Sequence, residues 1–469
     1  MSEQPYDLVV VGSGGAAMSA AITTRQGGKS VLLVDAGTLG GTCVNVGCVP
    51  SKALLRLSGH RAAATANPFP GAPSAAGPVD LAALVAQKDD LVASLRQTKY
   101  AAVADAYGFE VQPGTAAFAD DGAFTVDGRP LPAAAYLLAT GAEPSRAGLA
   151  GLDRVDYLTS TTAMEQATLP ASLVVIGGGY VGMEQAQLFA GLGVQVTLIG
   201  RLAPDAEPEL REVMRAAFHR DGIRVLEHRA ATVAPDDTRT INGSGAGAGV
   251  TVLTSTGLRV AADRLLVATG RSPRTAGLNL GAAGVKTDER GFIVVDDQQR
   301  TANPSVFAAG DVTGGPQYVY VAAAQGRVAA GNAFGGSDSV DYTGMPAVMF
   351  TRPQLASAGL SEQQALDAGY ECACRTLPLA DVPRALVNFD TLGAVKLVAD
   401  AGTGRLLGVH AAADAAGELI LAATYAIKAE MTVHDLADTW APYLTMAESL
   451  RLAAKLFQPG EQLPTSCCA

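Results

Sequence analysis

Short apolar runs that lead into glycine-rich turns recur along the chain and indicate its organisation. Residues 8–11 enter a turn at 12–15, and residues 174–176 enter a turn at 177–179. A helix-like segment follows each turn. A second apolar run completes each copy, at residues 30–34 and 195–199. Because parallel strands need a helical crossover between them, the two copies predict two parallel sheets of the dinucleotide-binding type.

The pattern changes after about residue 341. Apolar runs at 394–399 and 405–411 precede a helical periodicity through 415–430, which predicts a separate α+β domain. The predicted fold class is α/β, with two Rossmann-like dinucleotide-binding domains plus the C-terminal α+β domain. The predicted boundaries are 1–150 with 271–340 for the first domain, 151–270 for the second and 341–469 for the third.

Composition and charge indicate which partners, cellular location and cysteine chemistry to expect. The net charge of −11 without a basic cluster disfavours nucleic acid and anionic membranes as partners. No run reaches the roughly 18 apolar residues of a membrane helix, and residues 1–5 lack a basic signal-peptide region. These features predict a soluble cytoplasmic protein. Six cysteines are too few for a disulfide scaffold of this length, so close cysteine pairs suggest redox or metal chemistry.

The first turn, Gly12-x-Gly14-x-x-Ala17, matches the dinucleotide fingerprint. Its first glycine makes the turn, the second lets the backbone approach a pyrophosphate, and the small third residue packs helix on strand. Asp35 follows the next strand, where an acid can accept hydrogen bonds from ribose hydroxyls. A purely structural tight turn is the alternative.

The second turn, Gly177-x-Gly179-x-x-Gly182, is a full fingerprint, but its second strand ends in Gly200-Arg201 without an acid. A carboxylate there would repel a 2′-phosphate, whereas an arginine can pair with one. The pattern favours NADP over NAD, with a solvated surface arginine as the alternative.

A Cys-x4-Cys pair, Cys43 and Cys48, begins a probable helix. About one turn separates the sulfurs, which suits a reversible disulfide, and a helix N-terminus with the nearby Lys52 lowers a thiol pKa. Two buried packing cysteines or half of a zinc site are the alternatives. Zinc needs two further ligands, and none of the five histidines lies near this pair in sequence.

The first fingerprint, the segment Gly-Gly-Thr-Cys-x4-Cys-x-Pro-Ser-Lys at 40–52 and Ala-Gly-Asp at 309–311 resemble the FAD-containing pyridine nucleotide–disulfide oxidoreductases. The resemblance covers nearly the whole chain. It implies FAD on the first domain, NADPH on the second and a homodimer formed through the third. It also implies that Cys48 lies against the flavin, that Cys43 is the outer exchanging thiol, and that Lys52 pairs with Glu184. The cofactor-binding residues that it implies are Gly12, Gly14, Gly15, Ala17, Asp35, Thr42, Lys52, Thr140, Gly141, Gly177, Gly179, Gly182, Glu184, Arg201, Gly270 and Asp311.

The C-terminus distinguishes among members of this family. Disulfide-reducing members carry a proton-shuttling histidine five residues before a glutamate, but here Tyr443 precedes Glu448. The chain also ends in Cys467-Cys468-Ala469. Adjacent Cα atoms are about 3.8 Å apart, which strains a disulfide, so two free thiols are expected there. Soft sulfur ligands select soft metals, and Hg(II) is an extreme case. Incidental cysteines on a frayed tail are the alternative.

This C-terminus, with Lys99-Tyr100 and residues 382–386, resembles the mercury-reducing members of the family. The resemblance implies that Hg(II) arrives as a thiolate complex and passes from Cys467 and Cys468 of one subunit to the other subunit's redox pair. There Tyr100 and Tyr443 flank it and it is reduced to Hg(0). The rivals are a reductase of an unusual low-molecular-weight disulfide and a non-catalytic thiol metal buffer.

A third pair, Cys372 and Cys374, has i,i+2 spacing and would share one face of a strand. The sequence offers no further ligand beside it, so incidental surface cysteines are expected, with metal binding as the alternative.

Overall fold

The computed structural model describes residues 5–146, 148–240 and 248–458. The strands are β1 (Tyr6–Val11), β2 (Val31–Asp35), β3 (Glu110–Pro113), β4 (Ala116–Phe118), β5 (Phe124–Val126), β6 (Arg129–Pro130), β7 (Ala133–Leu138), β8 (Ala142–Pro144), β9 (Tyr157–Leu158), β10 (Ser172–Ile176), β11 (Gln195–Ile199), β12 (Arg224–Leu226), β13 (Ala230–Thr240), β14 (Ala248–Thr254), β15 (Arg259–Ala262), β16 (Arg264–Val267), β17 (Arg271–Pro273), β18 (Val306–Ala308), β19 (Pro346–Met349), β20 (Gln354–Gly359), β21 (Cys372–Pro378), β22 (Ala394–Asp400) and β23 (Leu406–Ala413).

The α-helices surround these strands. They are α1 (Gly15–Gln26), α2 (Gly41–Asn45), α3 (Cys48–Thr65), α4 (Leu81–Arg96), α5 (Ala102–Tyr107), α6 (Ser160–Ala163), α7 (Tyr180–Gly191), α8 (Pro208–Arg220), α9 (Val319–Ala333), α10 (Glu362–Asp367), α11 (Pro383–Val387), α12 (Ala416–Lys428), α13 (Val433–Asp438) and α14 (Glu448–Lys455). A π-helical turn, Gln97–Ala101, joins α4 to α5.

Two five-stranded parallel sheets confirm the α/β prediction. The first has the order β18-β7-β1-β2-β3, and the second has the order β12-β11-β10-β16-β9. In each, the strand that enters the glycine turn lies at the centre with an apolar, almost fully buried run, as expected for a sheet covered on both faces. Strand β18 follows the second sheet in the chain but pairs in the first.

The third sheet is antiparallel, with the order β19-β20-β23-β22-β21. Helix α12 packs on one face through buried Leu419, Ile420 and Ala423. The predicted strands and helix of this region match β22, β23 and α12 to within one or two residues, which is the usual uncertainty of element ends.

A buried ion cluster joins the second and third sheets. Lys396 on β22 is 1% exposed, and its Nζ lies 2.8 Å from Glu207, 3.0 Å from Glu209 and 2.7 Å from Glu362. Burial opposes ionisation of Glu207, but Lys396 and the Glu362 N–H outweigh it, so the pKa of Glu207 lies below its ordinary value. The three carboxylates likewise raise the pKa of Lys396 against the effect of burial.

Within the described ranges, no helix is long and apolar enough to cross a lipid bilayer.

Candidate active site

A cavity of about 970 Å³ lies where α1, α2, α3 and α7 meet the third sheet's segment 345–350. Predicted site residues from distant parts of the chain line it. These are Gly14, Gly15, Thr42, Cys43, Cys48, Lys52, Gly141, Glu184 and Asp311. The fold therefore brings both fingerprint helices and the cysteine pair to one space of the size that holds a large ligand.

The cysteine pair spans two helices rather than starting one. Cys43 lies in α2 and Cys48 is the first residue of α3, with a tight connection in which a Cβ on Gly47 would come within 2.9 Å of the Thr42 carbonyl oxygen. Both cysteines are free thiols. Helix α3 thus presents its positive N-terminal end to the Cys48 sulfur.

The two sulfurs differ in acidity. The Cys43 thiol donates a hydrogen bond to the Cys48 sulfur, and together with the Lys52 charge this lowers the pKa of Cys48 to about 7. The same hydrogen bond, with burial, raises the pKa of Cys43 far above its ordinary value. Cys48 is therefore the sulfur that ionises first, and the Cys43 thiol is its hydrogen-bond donor.

Lys52 is fixed by Glu184, as the resemblance implied. Its Nζ lies 2.6 Å from Glu184 Oε2 and 4.9 Å from the centre of the Phe350 ring. The other Glu184 oxygen accepts a hydrogen bond from the Phe350 N–H at 2.9 Å, and Glu184 is buried. The Glu184 carboxylate on α7 thus positions the Lys52 ammonium that faces Cys48. It also links α7 to the backbone that follows β19 in the third sheet.

Asp311 faces the cavity beside Arg271. Burial raises the pKa of Asp311, while Arg271, with its Nε 3.4 Å from Asp311 Oδ2, opposes that shift. Arg271 donates to the Ala142 carbonyl, yet its buried Nε has no hydrogen-bond partner among the described residues. A partly buried carboxylate and a spare donor on a cavity wall fit a polyhydroxyl ligand. Arg271 was not among the predicted site residues, although its place directly after Gly270 could have singled it out.

The first fingerprint forms a narrow backbone cradle. Gly12 has φ +114°, where a side chain is strained, and a Cβ there would collide with the Ala139 carbonyl oxygen. A Cβ on Gly41 would come within 2.7 Å of the Gly14 Cα. Ala17, in the first turn of α1, is fully buried. Only glycines leave room here for a phosphate to approach the N–H groups at the start of α1.

Asp35 and Thr140 lie at the edges of this cradle and have partners already. The Ser13 hydroxyl and the Gly37 N–H donate to separate oxygens of the Asp35 carboxylate. Each oxygen keeps a lone pair for another donor. The Thr140 hydroxyl donates to the Arg274 carbonyl at 2.7 Å, which ties the segment after β7 to the segment after β17.

The second fingerprint repeats the close packing at the start of α7. A Cβ on Gly182 would collide with the Gly177 carbonyl oxygen, whereas one on Gly179 would meet no atom within 4 Å. Arg201 follows β11 with an exposed side chain, and Gly270 lies between β16 and β17 with φ +122°. Open space above Gly179 and an exposed arginine nearby are compatible with a phosphorylated dinucleotide.

Aromatic residues absent from the sequence predictions complete the wall of the cavity. Tyr180, the first residue of α7, packs edge-on against Tyr318 at 6.2 Å between ring centres. Tyr318 stacks on Tyr320 at 5.3 Å. No motif marks these tyrosines in the sequence, because their proximity depends on how α9 meets α7.

Tyr100 lies beside the cysteine pair of its own chain, whereas Tyr443 of the same chain does not. Burial, with the charges of Cys43 and Cys48, raises the pKa of Tyr100 to about 12. Tyr443 is 49% exposed, in the turn before α14, close in sequence to the 98% exposed Trp440. Cys467 and Cys468 lie outside the described residues. Among those described, no cluster of three or more His, Cys, Asp or Glu side chains forms a metal site.

Matches to one known protein family cover most of the chain. The pyridine nucleotide-disulphide oxidoreductase family matches residues 6–326, and the dimerisation domain of the same family matches residues 345–454.

Individual relatives give a more specific comparison than the family as a whole. The chain is 50% identical to a mercuric reductase of Streptomyces lividans, over 99% of this chain and 98% of that protein. It is 47% identical to one of Bacillus cereus, over 99% of this chain and 73% of that protein. Among solved structures, the HOCl-induced flavoprotein disulfide reductase RclA from Escherichia coli superposes with a TM-score of 0.84 at 28% identity, covering 97% of this chain and 100% of that one.

Proposed function

The chain belongs to the pyridine nucleotide-disulphide oxidoreductase family, and from that premise we infer that it reduces Hg(II) to Hg(0) with electrons from NADPH and FAD. The observation that carries this function is the Cys43–Cys48 pair, a thiolate and a thiol in contact that open onto one cavity. Two sulfurs without a histidine among the described cavity residues suit a soft, two-coordinate cation better than a disulfide that needs a proton donor.

The residues present fit FAD on the first sheet. The backbone cradle at Gly12 and Gly14 has room for a pyrophosphate, and Asp311 with the spare Arg271 donor suits a chain of hydroxyls. We propose that Gly15, Ala17, Asp35, Thr42, Thr140 and Gly141 complete this site. NADPH would take Gly177, Gly179, Gly182, Gly270 and Arg201. When bound, FAD accepts a hydride from NADPH and makes two electrons available at the cysteine pair.

The cysteine pair takes up the metal by ligand exchange. Cys43, the outer exchanging thiol, forms the first Hg–S bond to Hg(II) in a bis-thiolate complex, and its proton leaves on the first displaced thiol. The Cys48 thiolate then forms the second Hg–S bond and displaces the second thiolate. Lys52 stabilises the Cys48 thiolate before this step, and Glu184 holds Lys52 in place. Two electrons convert the bound Hg(II) to Hg(0), which leaves both sulfurs reduced.

The protein forms a homodimer through the domain at 345–454. We propose that Tyr443 and the Cys467–Cys468 pair of each subunit serve the cavity of the other. The exposure of Tyr443 and Trp440 in a single chain supports this arrangement.

The proposed domain boundaries remain 1–150 with 271–340 for the FAD domain, 151–270 for the NADPH domain and 341–469 for the dimerisation domain. A cytoplasmic location is part of the proposal, since the described cysteines are all free, as in a reducing compartment.

One assay separates this function from its rivals. NADPH oxidation is followed with Hg(II) in excess small thiol, and separately with a panel of low-molecular-weight disulfides. We expect rapid oxidation with Hg(II) and loss of it in Cys43→Ser/Cys48→Ser. The matched control, Cys372→Ser/Cys374→Ser, removes two cysteines that lie outside the cavity and should keep the activity. Faster turnover of a disulfide would identify a disulfide reductase, and Hg(II) binding without NADPH oxidation would identify a metal buffer.

A further inference from the structure

Cys372 and Cys374 lie on β21, the edge strand of the third sheet. Their partners across the sheet are Asp400 and Val398 on β22. Residues two apart on a strand point to the same face, and both thiols pack against the small apolar group of Ala365, Val398 and Leu407. Both are free and only partly buried.

The surroundings of the pair are acidic. The Cys372 sulfur lies 4.0 Å from the Glu362 carbonyl oxygen and 3.9 Å from that of Tyr370. Burial and the Glu362 carboxylate raise the pKa of Cys374 to about 12, and burial with Glu362 and Asp400 also raises that of Cys372. Both sulfurs are therefore protonated thiols at neutral pH, and a metal that binds them must displace a proton from each.

Strand spacing decides what can bridge these sulfurs. Residues two apart on a strand have Cα atoms roughly 6.6 Å apart with nearly parallel Cβ directions, whereas a disulfide needs Cβ atoms about 3.8 Å apart. The pair therefore cannot close as a disulfide without distorting the edge strand. A linear S–metal–S unit is longer: metal–sulfur bonds of about 2.3 Å, as for zinc, place the two sulfurs about 4.6 Å apart. That span lies between the roughly 2.05 Å sulfur separation of a disulfide and the roughly 6.6 Å spacing of the two Cα atoms.

We propose that Cys372 and Cys374 form a second binding site for a linear, thiophilic cation, of which Hg(II) is the example that the proposed function supplies. Hg(II) arrives as a complex with two small thiolates. Two Hg–S bonds form to the protein and two to the small thiolates break, and the two cysteine protons leave on the departing thiols. The exchange leaves the net charge of the site unchanged, so the neighbouring carboxylates do not oppose it. The site lies outside the catalytic cavity and does not require turnover.

The test isolates this pair by removing the other four cysteines. The FAD-loaded Cys43→Ser/Cys48→Ser/Cys467→Ser/Cys468→Ser protein is titrated with the Hg(II) complex of free cysteine. We expect one tightly held Hg per chain and the disappearance of both remaining thiols from a thiol-reagent count. Adding Cys372→Ser should weaken retention against competing free cysteine by at least about 100-fold, because one protein sulfur loses the chelate advantage.

The matched control keeps two thiols but moves one to the opposite face. In the same background, Cys374→Ser with Ala373→Cys puts adjacent thiols on opposite sides of β21, and retention should fall to the level of a single thiol. Equal retention in this control would overturn the proposal, as would failure of the parent protein to bind. Because no step uses NADPH, these outcomes are independent of the catalytic assay. The full chain provides a second check: Cys372→Ser/Cys374→Ser should bind one Hg fewer without NADPH, and an unchanged count would refute the site.

Discussion

The hydrogen bond from Cys43 and burial have the largest effects on the pKa of Cys48, and two charges of opposite sign then adjust it. Lys52 lowers the pKa of Cys48 and Glu184 raises it, while the two side chains form an ion pair with each other. The ion pair therefore tunes the thiolate rather than only fixing the lysine. Since the pKa of Cys48 is about 7, small changes in this pair move the thiolate fraction at neutral pH.

Neutralising either charge should move the pKa of Cys48 in a stated direction. Lys52→Met removes the stabilising ammonium and should raise the pKa above about 7, which lowers the thiolate fraction at pH 7. Glu184→Gln removes an opposing carboxylate and should lower the pKa. The rate of Cys48 alkylation against pH, followed by mass spectrometry on the reduced flavin-free protein, measures both. Lys99→Met is the control with no expected shift, and shifts of the same sign in both variants would contradict the assignment.

At the scale of elements, two glycines near the start of α7 have different roles: one allows close packing, and the other leaves space for the proposed cofactor. Gly182 lies against the Gly177 carbonyl, whereas Gly179 faces open space. Gly182→Ala should lower the thermal unfolding midpoint, because α7 must move away from β10. Gly179→Ala should keep that midpoint and raise the KM for NADPH, because its methyl group occupies the space proposed for the pyrophosphate. A normal KM in a stable Gly179→Ala protein would place the cofactor elsewhere.

The loop after β11 should select between the two nicotinamide cofactors. Arg201→Glu replaces an exposed cation with a repelling charge, so the KM for NADPH should rise about 10- to 100-fold, the range for losing a charged hydrogen bond. The KM for NADH should change little. Arg224→Glu, an exposed arginine on the next strand, is the control. Equal effects on both cofactors would show that Arg201 does not contact the 2′-phosphate.

The sequence predicted the two glycine turns and their flanking strands and helices, because each turn is specified by adjacent residues. The parallel sheets, the third sheet and the Lys52–Glu184 pair could be expected from the sequence and its resemblance. Arg271 and the stacked tyrosines could not, because their positions depend on contacts between segments far apart in the chain. The division of the cysteine pair between α2 and α3 was also not predicted, since a run with helical composition hides the break at Val46 and Gly47.

At the scale of the whole molecule, the proposed relay needs two subunits. We predict that mixed dimers restore activity when one subunit carries Cys43→Ser/Cys48→Ser and the other carries Cys467→Ser/Cys468→Ser. One composite site then has both dithiols and the other has neither. Activity with thiol-bound Hg(II) should reach about half of wild type per dimer, provided the two sites work independently. Purified heterodimers no more active than either parent would show that the tail does not act across the interface.

The Lys396 cluster bears on how this protein can be recombined with its relatives. Lys396 comes from the third sheet, but Glu207 and Glu209 come from the segment after β11. A hybrid that inherits Glu207 without Lys396 buries a carboxylate without its lysine, at a cost of about 3–5 kcal/mol, whereas Lys396 without Glu207 and Glu209 still has Glu362 2.7 Å away. Crossovers between residues 209 and 396 therefore cost least when both parents carry matching charges, so these distant positions tend to be inherited together.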